Sequence, residues 1–170
     1  MAKILMIIAP EYYQDNELGI PRSLFLKAGF DVVIASKDVK TAIGALGGTT
    51  DVDVDISEVK VDDYVAIVFV GGGGAVTYFD DPVAHSIIKK AVEQGKVLGA
   101  ICISPSILAN ADVLKGKKCT AFPTEEENLL EKGATYNDKD MEVDGKIVTA
   151  SGPQAAKLFG QKILDVIPAK

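Results

Sequence analysis

Runs of consecutive apolar residues, each long enough for one strand, alternate along this chain with amphipathic stretches of helical length. The apolar runs occupy Ile4–Ala9, Val32–Ala35, Val65–Val70 and Val97–Ile101. Because the runs are continuous in Ile, Val and Leu, they are typical of strands covered on both faces by helices. The alternation therefore predicts an α/β fold with a doubly wound parallel sheet.

The intervening stretches are predicted to be helices. They cover Asn16–Ala28, Pro82–Gln94, Pro105–Ala109 and Gln154–Val166. The first is expected to place Leu18, Leu24, Leu26 and Ala28 on one apolar face and to end at Gly29. The second begins with a proline preceded by Asp81, which predicts an aspartate N-cap.

Two further segments have strand patterns. Thr49–Ile56 alternates Asp with Val or Ile, which predicts one edge strand with solvated carboxylates. Asp144-Gly145 lies between Met141–Val143 and Lys146–Thr149, and this pattern predicts a hairpin. Because the chain has no internal repeat, low-complexity tract or linker, we expect a single domain over residues 1–170.

Composition narrows the function classes. The chain has 24 acidic residues against 18 Lys and Arg, a formal net charge of −6, so a nucleic-acid binder is not expected. Two cysteines and one histidine cannot complete a Cys/His zinc cluster, and we expect neither a metal nor a cofactor. The first apolar run ends at Pro10 and is too short to span a membrane, so a cytoplasmic protein without membrane attachment is expected.

Cys102 lies at the end of a predicted buried strand and just before a predicted helix, which is the pattern of a nucleophile elbow. Such a turn needs small side chains two residues to either side, and Ala100 and Ser104 meet this requirement. The following helix would direct its N-terminal amides at the sulfur and favour the thiolate. The alternative is a small, buried, unreactive cysteine.

Gly71–Gly74 directly follow another predicted strand, but a dinucleotide site is not expected because position 76 is a valine. The glycine amides could instead bind a developing oxyanion beside Cys102, or the segment could be a plain turn. Glu17 lies near the start of the first predicted helix. From that position alone it is expected to lie in solvent and to interact favourably with the helix dipole.

Taken in order, these features resemble the ThiJ/PfpI superfamily, which includes an intracellular protease and the parkinsonism-associated protein deglycase. The matching segments are Asp15-x-Glu17-Leu18, Gly71-Gly72, Gly95-Lys96, Ala100-Ile101-Cys102, Leu114-Lys115-Gly116, Val143-Asp144-Gly145 and Val148-Thr149. The resemblance implies a flavodoxin-like fold, similar to class I glutamine amidotransferases, and a homodimer or higher homo-oligomer.

The resemblance also implies the site. Cys102 would be the reactive thiol, and Glu17 would be a protonated carboxyl that donates a hydrogen bond to the sulfur and lowers the thiol pKa. Glu17 would therefore need a raised pKa of its own. The amides of Gly72 and Ile103 would be the oxyanion-hole donors.

The chain departs from the family at the catalytic histidine. One branch has histidine directly after the nucleophile, where this chain has Ile103. The other carries it on the strand after the elbow helix, where this chain has Phe122, and an arginine common in that branch is replaced by Ser151. The single histidine, His85, is expected to be exposed or to cap a helix, although a place beside the pocket stays open. Cys119 is expected to pack in the core.

Three functions follow from the resemblance. The first is a glyoxalase- or deglycase-like enzyme of stress response, in which Cys102 attacks small reactive carbonyl compounds or glycated adducts. The second is a non-enzymatic redox sensor, in which peroxide oxidises Cys102 beside Glu17. The third is a cysteine peptidase, which is disfavoured because no Cys-His pair is available to protonate the leaving amine.

Overall fold

The computed structural model describes residues 1–169. The strands are β1 (Lys3–Ile7), β2 (Glu11–Tyr13), β3 (Asp31–Ser36), β4 (Thr41–Gly44), β5 (Thr49–Asp51), β6 (Val54–Asp55), β7 (Ala66–Phe69), β8 (Val97–Ile101), β9 (Lys118–Cys119), β10 (Thr135–Tyr136), β11 (Met141–Asp144) and β12 (Ile147–Ala150). The helices are α1 (Asp15–Lys27), α2 (Pro82–Glu93), α3 (Pro105–Asn110), α4 (Glu126–Glu131) and α5 (Ala156–Val166).

Seven strands form the main sheet in the order β11-β12-β8-β7-β1-β3-β6. All neighbouring pairs are parallel except β11 and β12, which form an antiparallel hairpin. Gly145 turns that hairpin with a φ of 61°, as the Asp-Gly pair predicts. Two smaller sheets, β2-β4-β5 and β9-β10, lie outside the main one. The predicted α/β fold with a mostly parallel sheet is confirmed.

The core lies on both faces of the main sheet because successive strand residues point to opposite sides. Leu5 and Ile7 of β1 belong to the cluster that includes residues of α2, α3 and α4. Ile4 and Met6 belong to the cluster that includes residues of α1 and α5. Burial on both faces explains why the strands are continuous apolar runs in the sequence.

The buried face of α1 differs from the expected one. Leu18 is buried, but Leu26 is 52% exposed and Leu24 is only partly buried. Pro21 and Phe25 take their places in the core, packed toward α5. The leucine pattern predicted the wrong buried face of α1, because this helix buries a proline and a glutamate along with its apolar side chains.

The alternating segment Thr49–Ile56 was predicted as one strand and is two. β5 joins the small sheet, and β6 pairs with β3 at the edge of the main sheet. The carboxylates are not merely solvated, because Asp53 Oδ2 accepts a hydrogen bond from the Ile34 amide at 2.9 Å. Asp55 accepts hydrogen bonds from Asp38 and Ser57, and these bonds lower its pKa.

Candidate active site

The candidate site lies where the sheet changes its direction of winding. The chain passes from β1 to β3 on one side and returns to β7 on the other, so a crevice forms beyond the carboxyl ends of β1 and β7. Three segments meet there: the start of α1 after β1, the glycines after β7, and the turn after β8. These are the strand ends at which the sequence predicted chemistry.

Cys102 has a left-handed backbone with a φ of 65°, which is strained for a residue that is not glycine. Its amide donates to Ala150 O at 2.9 Å, and its carbonyl accepts from the Phe122 amide at 2.8 Å. The Ser104 hydroxyl donates to Val70 O at 2.8 Å and ties the turn to the end of β7. The surrounding chain therefore holds Cys102 in the conformation of a nucleophile elbow.

Glu17 is completely buried, contrary to the solvent position expected from its place in the helix. The Gly71 amide donates to its Oε1 at 3.0 Å. Its Oε2 is also buried and has no hydrogen-bond partner among the described residues. The Gln14 side chain caps α1 by accepting from the amides of Asn16 and Glu17. Glu17 is thus fixed through one oxygen, while the other oxygen stays available beside the Cys102 side chain.

Gly71 has to be glycine because of how closely Glu17 and Cys102 approach it. A Cβ at this position would collide with Glu17 Oε1, with Cys102 Cβ and with the Ile101 carbonyl oxygen. Gly72 has a φ of 102°, and a Cβ there would meet the backbone of residues 12 to 14. Gly71 and Gly72 are therefore close-packed in the site, and the plain-turn alternative does not describe them.

Burial raises the pKa of Glu17 from 4.5 to about 7, against the opposing effects of the hydrogen bond from the Gly71 amide and of the neighbouring Cys102 side chain. Burial also raises the pKa of the Cys102 thiol to about 11, and the Glu17 charge adds to this rise. Hydrogen bonds from the amides of Gly72 and Ile103 act in the opposite direction. The expectation for Glu17 is met, whereas the expected lowering of the Cys102 pKa is wrong because desolvation outweighs the two amides.

The two ionisations belong to one coupled pair. A proton retained on Glu17 removes the carboxylate charge that raises the Cys102 pKa. When the pair loses its first proton, the remaining proton has two alternative places, the carboxyl oxygen or the sulfur. Only the form with the proton on Glu17 has a nucleophilic sulfur, and the amides of Gly72 and Ile103 favour that form.

Other residues considered from the sequence lie away from the sulfur. The His85 ring nitrogen Nε2 is 2.7 Å from Phe79 O, in a contact between α2 and the segment before it. Cys119 is fully buried and belongs to the core cluster on the opposite face of the sheet from Cys102. Tyr13 is buried, and its hydroxyl is 2.7 Å from that of Thr50, whereas Tyr12 is 63% exposed.

A cavity of about 470 Å³ is lined by residues next to the elbow, among them Phe122, whose amide donates to Cys102 O. Its walls include Phe122 and Ser151, the two positions at which the family's histidine and arginine would stand. Phe122 follows a short β9 in a loop and is 43% exposed, although this segment was predicted as a strand. The site therefore has an aromatic side chain where the family has a histidine, and a hydroxyl where the family has an arginine.

Two functional details had no clear sequence signal. Asp15 Oδ1 and Oδ2 accept from the amides of Leu46 and Gly48, at 2.8 and 2.9 Å, and so attach the β4–β5 turn to the start of α1. Tyr12 has a φ of 61°, and its carbonyl oxygen packs closely against Gly72. Asp15 belongs to a segment that resembles the family, but the resemblance did not indicate which amides its carboxylate binds.

Within residues 1–169, no group of three or more His, Cys, Asp and Glu side chains is arranged to hold a metal ion. None of the helices in the same residues is long and apolar enough to cross a membrane.

Comparison with known proteins identifies similar chains. The sequence model of the DJ-1/PfpI family matches residues 2–166. An uncharacterized protein of Methanocaldococcus jannaschii is 41% identical over 98% of this chain and 82% of its own. A deglycase of Thermococcus kodakarensis is 33% identical over 88% of this chain and 90% of its own, and a glutathione-independent glyoxalase of Caenorhabditis elegans is 26% identical over 96% and 87%. The crystal structure of a ThiJ/PfpI domain protein from Brachyspira murdochii superposes with a TM-score of 0.94 at 32% identity, covering 96% of this chain and 95% of its own.

Proposed function

Because this chain belongs to the DJ-1/PfpI family, we propose that it is a cysteine-dependent enzyme acting on small reactive carbonyl compounds or their glycated adducts. Relatives named deglycase and glyoxalase support this kind of activity. The observation that carries the proposal is the pairing of Cys102, in its strained backbone, with a buried Glu17 whose pKa is raised to about 7.

In the proposed first step, the Cys102 sulfur attacks the aldehyde carbon of an α-oxoaldehyde. A sulfur–carbon bond forms, and the electron pair of the carbonyl π bond moves to the oxygen, where the amides of Gly72 and Ile103 would stabilise it. Glu17 then gives its proton to that oxygen, which yields a neutral hemithioacetal. This step needs one acid–base group and no histidine.

The conversion to a hydroxy acid needs two further steps. Glu17, now a carboxylate, would take the proton from the former aldehyde carbon and return it to the neighbouring carbon, while the proton of the new hydroxyl moves to the oxygen on that neighbouring carbon, so that a thioester remains on Cys102. Water would hydrolyse the thioester and free the thiol. The sum is one α-oxoaldehyde plus one water giving one α-hydroxy acid, without any outside oxidant or reductant.

The test measures lactate formed from methylglyoxal by the wild-type protein and by Cys102→Ala and Cys119→Ala variants. We expect Cys102→Ala to fall to the uncatalysed rate and Cys119→Ala to retain turnover, because Cys119 lies on the other face of the sheet. Equal lactate formation by the wild type and Cys102→Ala would contradict the proposal.

A redox sensor is a second candidate, favoured by the same neighbours of the sulfur. Oxygen atoms added to Cys102 would meet the amides of Gly72 and Ile103 and a protonated Glu17, all of which can donate hydrogen bonds. Intact mass after dilute peroxide tests this function separately. An added mass that disappears in Cys102→Ala supports it, whereas an unchanged wild-type mass contradicts it.

Peptidase activity is not proposed. Cleavage of a peptide needs a group that protonates the leaving amine, and Ile103 and Phe122 occupy the positions of the family's histidines. His85 bonds to the Phe79 carbonyl instead.

A further inference from the structure

The cavity beside Cys102 has an uneven distribution of charge. Its walls include the carboxylates Asp138 and Asp140, and Lys139 is the single cation among its lining residues. The Lys139 ammonium lies 3.8 Å from the Glu142 carboxylate. Asp138, Asp140 and the neighbouring Glu142 thus outnumber this one ammonium, and the local charge is negative.

The other walls are apolar or neutral. Phe122 and Pro123 form one side, and Ser151 and Gln154 form the other, where the Gln154 amide donates to the Ser151 hydroxyl at 3.0 Å. No arginine lines this cavity. An anionic substituent would therefore find no guanidinium to pair with and would lie close to two carboxylates.

The walls are joined to the backbone of Cys102 on both sides. The Phe122 amide donates to Cys102 O, and the Cys102 amide donates to Ala150 O, the residue before Ser151. The Ser151 amide in turn donates to Asp140 O at 2.9 Å. The charged wall is therefore attached to the same turn that holds the nucleophile.

We propose that this cavity is a charge filter for the Cys102 site, which admits neutral and cationic reactants and rejects anionic ones. The assignment of substrates rests on the proposed function. The favoured substrates are then uncharged α-oxoaldehydes and adducts that carry an ammonium or guanidinium group. Oxoacids such as glyoxylate are disfavoured. Asp138 and Asp140 determine this specificity, and Phe122 offers an aromatic face to a cation.

The test uses two methanethiosulfonate reagents of similar size, one with a trimethylammonium and one with a sulfonate. In each reaction the Cys102 thiolate attacks the reagent's thiol sulfur, a mixed disulfide forms, and methanesulfinate leaves. The protein carries Cys119→Ala so that Cys102 is its only thiol. For the protein, the second-order rate constant of the cationic reagent is divided by that of the anionic reagent. This ratio is then divided by the same ratio measured for the free thiol 2-mercaptoethanol.

At low salt we expect the normalised ratio to favour the cationic reagent by on the order of tenfold. Added salt should reduce the preference, since the Debye length falls to about 3 Å at 1 M. Asp138→Asn/Asp140→Asn should bring the ratio close to one. The matched control, Asp62→Asn/Asp63→Asn, removes the same charge at exposed positions before β7, at the opposite end of the sheet, and should leave the ratio unchanged.

A normalised ratio at or below one, a ratio that the Asp138/Asp140 substitutions do not move, or a Cys102 that reacts with neither reagent would overturn the proposal. If the double variant does not fold, the salt dependence of the parent protein decides. Because the readout is alkylthiolation and not turnover, a protein without carbonyl activity can still show the filter. In that case the proposed function fails while the filter stands.

Discussion

Cys102 and Cys119 are both buried thiols, and burial raises the pKa of each to about 11. Their backbones and their neighbouring side chains differ. Cys102 has a left-handed backbone, amide donors at its sulfur and a buried carboxyl beside it, whereas Cys119 ends the short strand β9 within an apolar cluster. Glu142 is the acid near Cys119, and its side chain is 14% exposed and bonded to Asn137.

The comparison shows that burial and thiol pKa do not separate a reactive cysteine from a structural one in this protein. The distinguishing features are a strained conformation that the neighbouring chain maintains and a partner able to hold a proton. Both features depend on contacts between distant segments: Glu17 and Gly71, and Cys102 and Ala150. Each of the following experiments changes one of these features.

The largest expected effect comes from the carboxyl partner. Since the pKa of Glu17 is about 7 in the folded protein against 4.5 for the free group, its protonated form stabilises the fold. That contribution is complete below pH 4.5 and is lost as pH rises through 7, a total of about 3 kcal/mol. Urea unfolding from pH 4 to pH 8 should therefore show the wild type losing about this much relative to Glu17→Gln.

Glu131→Gln, at an exposed position on α4, controls for the loss of a carboxylate elsewhere. Parallel pH profiles for the wild type and Glu17→Gln would mean that Glu17 is not protonated in the folded protein near neutral pH.

The second effect concerns the glycine between the two partners. Gly71→Ala should lower the free energy of unfolding by about 2 kcal/mol and slow Cys102 alkylation, because the added methyl group pushes Glu17 and Cys102 apart. Gly73→Ala is the matched control, since a Cβ there meets nothing within 4 Å. Its stability should stay within about 0.5 kcal/mol of the wild type. Equal effects at both positions would remove the argument for a close-packed site.

The smallest effect compares the backbones at the two cysteines. At position 102, where φ is 65°, the glycine variant should be more stable than the alanine variant by about 1 kcal/mol, because glycine relieves the left-handed strain. At position 119, in a strand, the order should reverse by about the same amount. Urea midpoints of the four single variants measure both differences, and the same order at both positions would contradict the strained elbow.

The sheet and the elbow could be predicted from sequence because they depend on local patterns. Continuous apolar runs specified the parallel strands, and small residues around Cys102 specified the turn. The buried face of α1 and the division of Thr49–Ile56 could not be predicted, because each depends on the element against which it packs.

The candidate site was only partly predictable. Glu17 entered through family resemblance, since a glutamate in a first helical turn ordinarily faces solvent, and its burial depends on the Gly71 amide 54 residues later in the chain. The direction of the Cys102 pKa was wrong because the sequence indicated the helix and its amides but not the extent of desolvation. The carboxylates of the cavity were not recognised, because Asp138 and Asp140 lie in an ordinary polar loop.

The most direct test of the Glu17–Cys102 pair is the pH dependence of Cys102 alkylation by iodoacetamide in a Cys119→Ala background. We predict that the rate rises in two steps, first near pH 7, as the pair loses one proton and some molecules keep the other on Glu17, and again at about pH 11, as the thiol of the carboxylate form ionises; Glu17→Ala should abolish the step near pH 7. Glu17→Gln, which keeps a hydrogen-bond donor, should retain most of the reactivity. Identical profiles for the wild type and Glu17→Ala would contradict a role for Glu17 in activating the thiol.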